Sequence, residues 1–515
     1  MTSPDTSPDT SSLHSGAHAP TQLRANLFSC SFEKMDTSRF GSPRIAVIGG
    51  GIAGLSAAWE LRRQLGPDAR IALIEAYGRL GGKLKTVDFA TGPVDVGAEA
   101  YLGFRDDFTD LVRSVGLGNQ LRSPSTLSSG VYADGRIVDI PKNTLMGIPA
   151  SGAAVTEVVG EDAAQRIDAE RSGQPMTWSP DQDTTVGQLV AARLGRVVVD
   201  RLVSPLLGGV YSCSADDLGV RATMPELAAE LDVQGADGRS FYLLDAITAI
   251  LDRRAQKRSQ ADSTTDGKTK APRKPVFQAL AGGYGSLVDA LERNADPEVL
   301  LNTGVESIGR TSRGWYIEPI GEFDALVVAT PAPTAAVLLQ DMAPTAADVL
   351  HGVELASSVV VGMRLASPLG LPERTGVLLG ADAPTEAKAF TFSSMKWPHL
   401  AARGGAVLRA SFGTFNEPWY LESDDRALLS FALEDLHRIT GERKRPEEFF
   451  VQRWWGGIPR YGVGYMEAMN VAYQEIENIR GLALAGATIN GVGVPATAAS
   501  GVAAARQIIQ EMQQS

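Results

Sequence analysis

Gly49-Gly50-Gly51-Ile52-Ala53-Gly54 satisfies G-x-G-x-x-G, the spacing with which a chain turns tightly and brings its backbone against a pyrophosphate. Alone the pattern is weak, and its context decides what it means. An apolar, β-branched run from Arg44 to Ile48 (RIAVI) precedes it. Residues 52–65 (IAGLSAAWELRRQL) follow with apolar side chains at helical spacing and stop at Gly66-Pro67-Asp68. A second apolar run, residues 70–75 (RIALIE), closes a strand–helix–strand unit. In such a unit Gly49 permits the turn, Gly51 the close backbone approach, and Gly54 the packing of helix on strand. The helix start offers unpaired N–H groups to phosphates. Glu75 ends the second run, where a carboxylate accepts hydrogen bonds from an adenosine ribose and disfavours a 2′-phosphate. The plainer alternative is a glycine-rich turn in a non-binding α/β domain. Strand, helix and Glu75 together argue against it.

Two further segments separate a flavin from a nicotinamide. Arg79-Leu80-Gly81-Gly82-Lys83 follows Glu75 closely and is similar to the R-x-G-G-[RK] segment of flavoproteins of the amine-oxidase superfamily. Its glycines allow close approach to a cofactor, and its cation faces a diphosphate or flavin; otherwise it is a solvent-exposed turn. Near the C-terminus, Leu484-Ala485-Gly486-Ala487 ends a strand and Gly491-Val492-Gly493-Val494-Pro495 turns into a last helix. A helix start aimed at a flavin ring would stabilise negative charge on the reduced ring.

These segments need a scaffold, and the chain supplies one. Its 515 residues suffice for about two to four folding units. The formal net charge of −12 argues against a general nucleic-acid binder. Cys30 and Cys213 are the two cysteines, too few for a disulfide framework. That fits a reducing cytoplasm. No apolar run reaches about 18 residues, so no transmembrane helix is expected; peripheral membrane contact stays open. Residues 1–43 read as a disordered leader without a secretory signal, and Met35 competes with Met1 as the start.

Further along, residues 106–115 look helical, and Tyr132 to Ile140 reads as a hairpin about Asp134-Gly135. Helical patterns dominate from about 160 to 250, with Pro205 and Pro225 as breaks. Residues 252–275 are nearly devoid of apolar side chains and read as an exposed, mobile insertion. Gly282-Gly283-Tyr284-Gly285 precedes a helix from about Ser286. Strands are expected at Leu300 to Val305, Ala325 to Ala329, Val359 to Leu365, Ala406 to Phe412 and Leu482 to Ala485, and a final helix from about Ala498.

The chain resembles the protoporphyrinogen/coproporphyrinogen oxidase family, in particular the soluble bacterial coproporphyrinogen III oxidases of Gram-positive type. The resemblance runs from about Arg44 to the C-terminus. Beyond the glycine segments it rests on Asp95-Val96-Gly97-Ala98-Glu99-Ala100, Pro205-Leu206-Leu207-Gly208-Gly209-Val210-Tyr211, Lys396-Trp397-Pro398-His399, Arg453-Trp454 and Pro459-Arg460-Tyr461. Where many members carry G-P-[DE]-S, this chain has Gly97-Ala98-Glu99-Ala100, without the proline and hydroxyl.

The resemblance implies an α/β architecture: a Rossmann-like FAD-binding domain of discontinuous segments, a sheet-containing substrate domain and a helical domain. The FAD domain would take residues 44–125, 276–330 and 451–515. A mainly helical, substrate-contacting part would span 126–251, the flexible insertion 252–275, and the substrate domain 331–450. Carried over residue by residue, FAD contacts would come from Gly49, Gly50, Gly51, Ile52, Ala53, Gly54, Glu75, Ala76, Lys83, Gly97, Ala98, Glu99, Ala100, Val305, Trp454, Val492, Gly493 and Val494. Val305 would use its backbone against the adenine.

The implied reaction is the six-electron aromatisation of coproporphyrinogen III in haem biosynthesis, with dioxygen as acceptor, hydrogen peroxide as by-product and a ferrochelatase downstream. Its substrate is a tetra-anion, so an acidic protein needs local cations for it. Arg105 is the leading candidate for catalysis and for binding a propionate, since Arg takes a carboxylate bidentately. Against that, it sits at a helix start beside Asp106 and Asp107, where a surface arginine is equally natural. Lys396 is the second candidate. Trp397, Trp454, Tyr211 and Tyr461 would face the flavin or macrocycle, or simply fill the core. His351, His399 and His437 are well separated, so no acid–base set and no metal site is expected. The rival readings are a protoporphyrinogen IX oxidase and, more distantly, a flavin amine oxidase or a non-catalytic flavin or porphyrin-binding protein.

Overall fold

The computed structural model describes residues 42–263 and 274–514. Residues 1–41 of the proposed leader, with Cys30 and Met35, and residues 264–273 of the 252–275 stretch lie outside them.

Five short strands form one parallel sheet in the spatial order Glu298–Leu300, Arg70–Ile74, Arg44–Ile48, Ala325–Val328, Leu482–Leu484. The strands are apolar on both sides because both faces are covered, one by helices and the other by the antiparallel strands Ser307–Arg310, Trp315–Glu318 and Gly321–Phe323 with further helices. Chain order reverses at Arg44–Ile48: the next strand lies on one side of it, and the later strands Ala325–Val328 and Leu482–Leu484 on the other. Ligands of such sheets bind beyond the carboxyl ends of the strands at that reversal, and Gly49 follows directly. The helix Ile52–Leu65 leaves from it. The last helix, Val494–Gln513, packs along this one. A Cβ on Gly501 would meet the Ala53 carbonyl oxygen at 1.9 Å, and Arg506 Nε donates to Glu60 Oε1 at 2.8 Å further along. Contacts 53 to 501 and 60 to 506 run in the same sense. The two helices are therefore parallel, and both N-termini face the same end of the sheet.

A second sheet of seven strands carries the other half of the site. Its order is Glu448–Pro459, Leu355–Leu365, Ala406–Phe412, Ala389–Thr391, Gly376–Leu379, Gly130–Ala133, Arg136–Asp139. It therefore draws on the expected helical part for its last hairpin and on the third FAD segment for its first strand, so neither 331 nor 450 bounds it. One face packs Val359, Val361, Met363, Phe390, Leu408 and Phe412 under the helix Asp425–Thr440. The opposite face carries Arg409 and Trp454, which touch the 95–100 segment described below.

Pro205 and Pro225 fall in the first turns of the helices Ser204–Tyr211 and Pro225–Gln234. Pro225 starts its helix, where the missing N–H has no intrahelical partner to lose, whereas Pro205 follows the π-helical turn Val199–Val203 and the helical run passes through it without a break. The hairpin at 134–135 forms with both turn residues at positive φ, 50° and 78°, the turn that Asp-Gly favours. Three boundaries move. The strand expected from 300 to 305 ends at Leu300, the final helix begins at Val494, and residues 252–263 continue the helix Leu243–Ser263 instead of opening a loop. Among the described residues no helix is long and apolar enough to cross a membrane.

Candidate active site

The glycine loop is fixed by its own neighbours. Gly49 takes φ +111°, and a Cβ there would meet the Ala329 carbonyl oxygen at 2.6 Å. Gly49 N donates to Ile74 O at 2.7 Å, tying the turn to the second strand. On Gly54 a Cβ would strike Gly49 O at 1.9 Å, so helix and loop pack as closely as backbone allows. Gly51 differs, because a Cβ there meets nothing within 4 Å. The space in front of its backbone is open, at the start of a helix with no side-chain cap and no acidic residue in its first turn. Uncapped amides at that end attract an anion.

The segment Arg79-Leu80-Gly81-Gly82-Lys83 lies on this loop. Gly81 N donates to Gly50 O at 2.8 Å, and a Cβ on Gly82 would stand 3.1 Å from Gly51 Cα. Arg79 folds over its own turn, donating to Leu80 O at 3.0 Å and Leu84 O at 3.1 Å, so its guanidinium braces the loop. Lys83 is solvent-accessible yet crowded by protein, and that burial pushes its ammonium down to about 8. Among the described residues it has no hydrogen-bond or ion-pair partner. Glu75 already accepts from Gly50 N at 2.8 Å and Tyr77 N at 2.9 Å, one amide per oxygen. Each carboxylate oxygen keeps a lone pair for a ligand hydroxyl. Ala76 follows it at the strand end. The Val305 backbone N–H has no protein partner among the described residues, while Thr303 N and Glu306 N on either side are bonded.

At the other end, Gly491, Val492 and Gly493 lead into Val494–Gln513, a second helix with neither side-chain cap nor first-turn acid. Tyr461 donates its hydroxyl to Ala487 O, and Tyr465 donates to Thr488 O at 2.6 Å, holding the stretch before this loop. Two uncapped helix starts on one side of one sheet, an open Gly51 and an unpaired Lys83 fit a flavin carried on phosphate.

The segment Gly97-Ala98-Glu99-Ala100 is held from the seven-stranded sheet. Trp454 Nε1 donates to Val96 O at 3.1 Å, and its ring lies 2.9 Å from where a Gly97 Cβ would stand. Arg409 Nη1 donates to Asp95 O at 3.1 Å and Gly97 O at 3.0 Å. Glu99 pairs with Lys396 Nζ at 2.7 Å and with Arg409 Nη2 at 2.8 Å. Burial works to raise the Glu99 carboxyl, but Arg409 and Lys396 outweigh it and hold it at about 2. Asp95 has no such pair. Burial lifts it to about 6 against hydrogen bonds from Thr86 and Tyr284 N.

A family model described as flavin containing amine oxidoreductase matches residues 52–509. The chain belongs to that family. It is 35% identical over 471 residues to the coproporphyrinogen III oxidase of Mycobacterium tuberculosis, covering 90% of this chain and 97% of the relative. The mitochondrial protoporphyrinogen oxidase of Nicotiana tabacum is 24% identical, over 91% of this chain and 95% of its own. A solved structure from Exiguobacterium sp. 255-15, named "Putative protoporphyrinogen oxidase", is 28% identical with a TM-score of 0.77, covering 92% of this chain and 99% of its own.

Within this amine oxidoreductase, two expected substrate ligands are engaged elsewhere. Lys396 is spent on Glu99, with its ammonium 5.2 Å from the centres of the Phe277 and Trp397 rings. It therefore fixes the 97–100 segment rather than standing free. Arg105 holds the start of the helix Asp106–Ser114 and grips Asp107 with Nε at 2.9 Å and Nη2 at 2.5 Å. Trp397 is 1% exposed in a cluster with Phe89, Val94 and Leu400, and so is core. His399 beside it is pushed down to about 4 by burial, aided by Arg403 and Arg122, and stays neutral. Arg409 escaped sequence reasoning because its partners lie over 300 residues away, and only strand pairing brings them together. Among the described residues no cluster could hold a metal ion.

Proposed function

We propose that the chain binds FAD and oxidises coproporphyrinogen III to coproporphyrin III with dioxygen, in the cytoplasm. The observation that carries this reading is the 35% identity to a coproporphyrinogen III oxidase along nearly the whole of both chains, against 24% to the tobacco protoporphyrinogen oxidase. FAD rather than a shorter flavin is favoured by the adenosine end. Glu75 retains acceptor capacity, and the Val305 N–H beside it lacks a partner.

The bound flavin would supply the two-electron acceptor, used three times per macrocycle and restored by dioxygen. The protein's own part is position and charge. The amides opening Ile52–Leu65 would hold the diphosphate, with Lys83 opposite. The start of Val494–Gln513 would place partial positive charge near the ring, favouring electron uptake. Arg409, Lys396 and Trp454 would keep the 95–100 segment rigid beneath it. His399, neutral at physiological pH, is suited neither to holding an anion nor to storing a proton.

Arg105 keeps its proposed role if it exchanges Asp107 for a propionate. Arg105→Met should then raise KM for the tetra-propionate substrate about tenfold with a smaller change in kcat. Asp107→Asn should not raise KM. An unchanged KM in Arg105→Met would leave Arg105 as a helix-start residue only.

The reading as a whole is tested by mixing the purified protein anaerobically with coproporphyrinogen III and, separately, protoporphyrinogen IX. Flavin bleaching is followed at about 450 nm before oxygen is admitted. Faster bleaching with the tetra-propionate substrate, then porphyrin fluorescence and peroxide, is expected. The reverse preference would move the chain to protoporphyrinogen oxidation, and no bleaching with either would refute porphyrinogen oxidation.

A further inference from the structure

The cations around the flavin-side segment are largely spent. Lys396 and Arg409 share Glu99, Arg105 takes Asp107, Arg453 takes Asp425, and Arg460 pairs with Glu354. Lys85 is tied to the Gln452 side chain at 2.7 Å, and Lys83 stands at the dinucleotide loop.

Lys388 is placed differently. It precedes the strand Ala389–Thr391, with its backbone N–H on Ser411 O. Its Nζ donates to Ser212 Oγ at 3.1 Å and to Gly413 O at 2.6 Å. Ser212 caps the helix Ser204–Tyr211, and Gly413 follows the strand Ala406–Phe412. The ammonium thus sits in the seam between the helical layer and the seven-stranded sheet. It has three N–H donors and two acceptors, neither of them charged. No carboxylate of the described residues pairs with it.

Glu417 and Cys213 face it, and Glu417 favours the ammonium through space without an ion pair. Glu417 spends one carboxylate oxygen on Thr414 N at 3.0 Å and Thr414 Oγ1 at 2.9 Å. The Cys213 thiol is pushed up to about 12, chiefly by burial, and stays uncharged. Burial likewise pushes the Lys388 ammonium down to about 8. A half-buried cation that touches only neutral acceptors keeps room for a carboxylate partner, and a binding site is one reason to keep it.

The seam also adjoins the flavin-facing loop. Ser212 follows Tyr211, whose ring centre lies 5.8 Å from that of Tyr461. Tyr461 holds Ala487 O, five residues before Val492, and Val492 and Tyr211 both pack against the same core cluster. Val210, next to Tyr211, is 44% exposed, so this end of the helix reaches solvent.

We propose that Lys388 is a substrate-binding residue that receives a carboxylate of the macrocycle with its remaining N–H. This rests on the porphyrinogen reading. It assigns a specific cation to a tetra-anionic ligand in a chain of net charge −12.

The test uses the flavin-loaded protein, with coproporphyrin III and its tetramethyl ester as probes and fluorescence titration as the readout. Lys388→Gln removes the charge and keeps a donor for Gly413 O; Lys388→Met is the second variant if the first does not fold. Bound flavin and thermal midpoint report folding. The wild type is expected to prefer the tetra-acid over the ester. The variant should bind the tetra-acid about tenfold or more weakly and the ester unchanged. Lys388→Arg should recover most of the preference. Wild-type preference retained in a folded Lys388→Gln or Lys388→Met overturns the assignment and leaves Lys388 as a seam tie. Failure of the wild type to bind either porphyrin counts against the porphyrinogen reading itself, and with it this assignment.

Discussion

Gly51→Glu is expected to fold and to carry almost no flavin. Two features of Gly51 make this a test of binding rather than of packing. Its φ of −74° and ψ of −179° suit any L-residue, and a Cβ meets nothing within 4 Å. The protein therefore accommodates the side chain, but the carboxylate then occupies the path that the phosphates must take. Two like charges about 4 Å apart at a protein surface repel by about 4 kcal/mol, a loss of about a hundredfold or more in affinity. Gly54→Val is the contrasting variant. Its Cβ would strike Gly49 O, so that protein should lose the fold along with the flavin. The measurement is the ratio of flavin to protein absorbance, with circular dichroism as the check on folding. A yellow Gly51→Glu protein with wild-type flavin content would show that the phosphates pass elsewhere.

This loop was legible in the sequence because its physics is local. A strand, three glycines, a helix and Glu75 lie within one short stretch, and each residue type follows from turn geometry or from the charge it must face. The segment at 79–83 and the loop at 491–495 were legible for the same reason, although the last helix begins four residues earlier than its apolar pattern suggested. The contacts made across the seven-stranded sheet were not legible in this way. Arg409 meets Gly97 across 312 residues, and Lys388 meets Ser212 across 176. Both contacts depend on which face of the seven-stranded sheet a residue occupies, and strand pairing far along the chain sets that face. Lys396 shows the same limit from the other side. Its charge marked it for an anion, and the anion proved to be Glu99 of the same chain. Where local pattern reports only charge, distant partners decide whether the charge is free.

Glu99→Ala is expected to destabilise the protein strongly without abolishing its fold. Removing the carboxylate leaves Lys396, at 19% side-chain exposure, and Arg409, at 10%, as neighbouring cations without their shared anion. Breaking a buried ion pair from one side costs about 3–5 kcal/mol, mostly as the penalty on the charge left behind. Arg409 also holds Asp95 O and Gly97 O, so its displacement should loosen the flavin-side segment and weaken flavin retention. The pH dependence gives the sign. Glu99 is held below its ordinary 4.5, at about 2, so its stabilising contribution is fully present above pH 4.5 and is lost as pH falls through about 2. The gap in unfolding free energy between wild type and Glu99→Ala should therefore be constant near neutrality and shrink between pH 4.5 and 2. Asp95, lifted to about 6 chiefly by burial and in part by Glu99 itself, shifts stability in the opposite sense between about 3.8 and 6, so the acid narrowing is read below that window. Glu99→Asp shortens the side chain while keeping the charge, and should recover part of the loss. Urea titrations at several pH values measure the gap. If it does not narrow in acid, the Glu99 carboxylate is not what Lys396 and Arg409 stabilise.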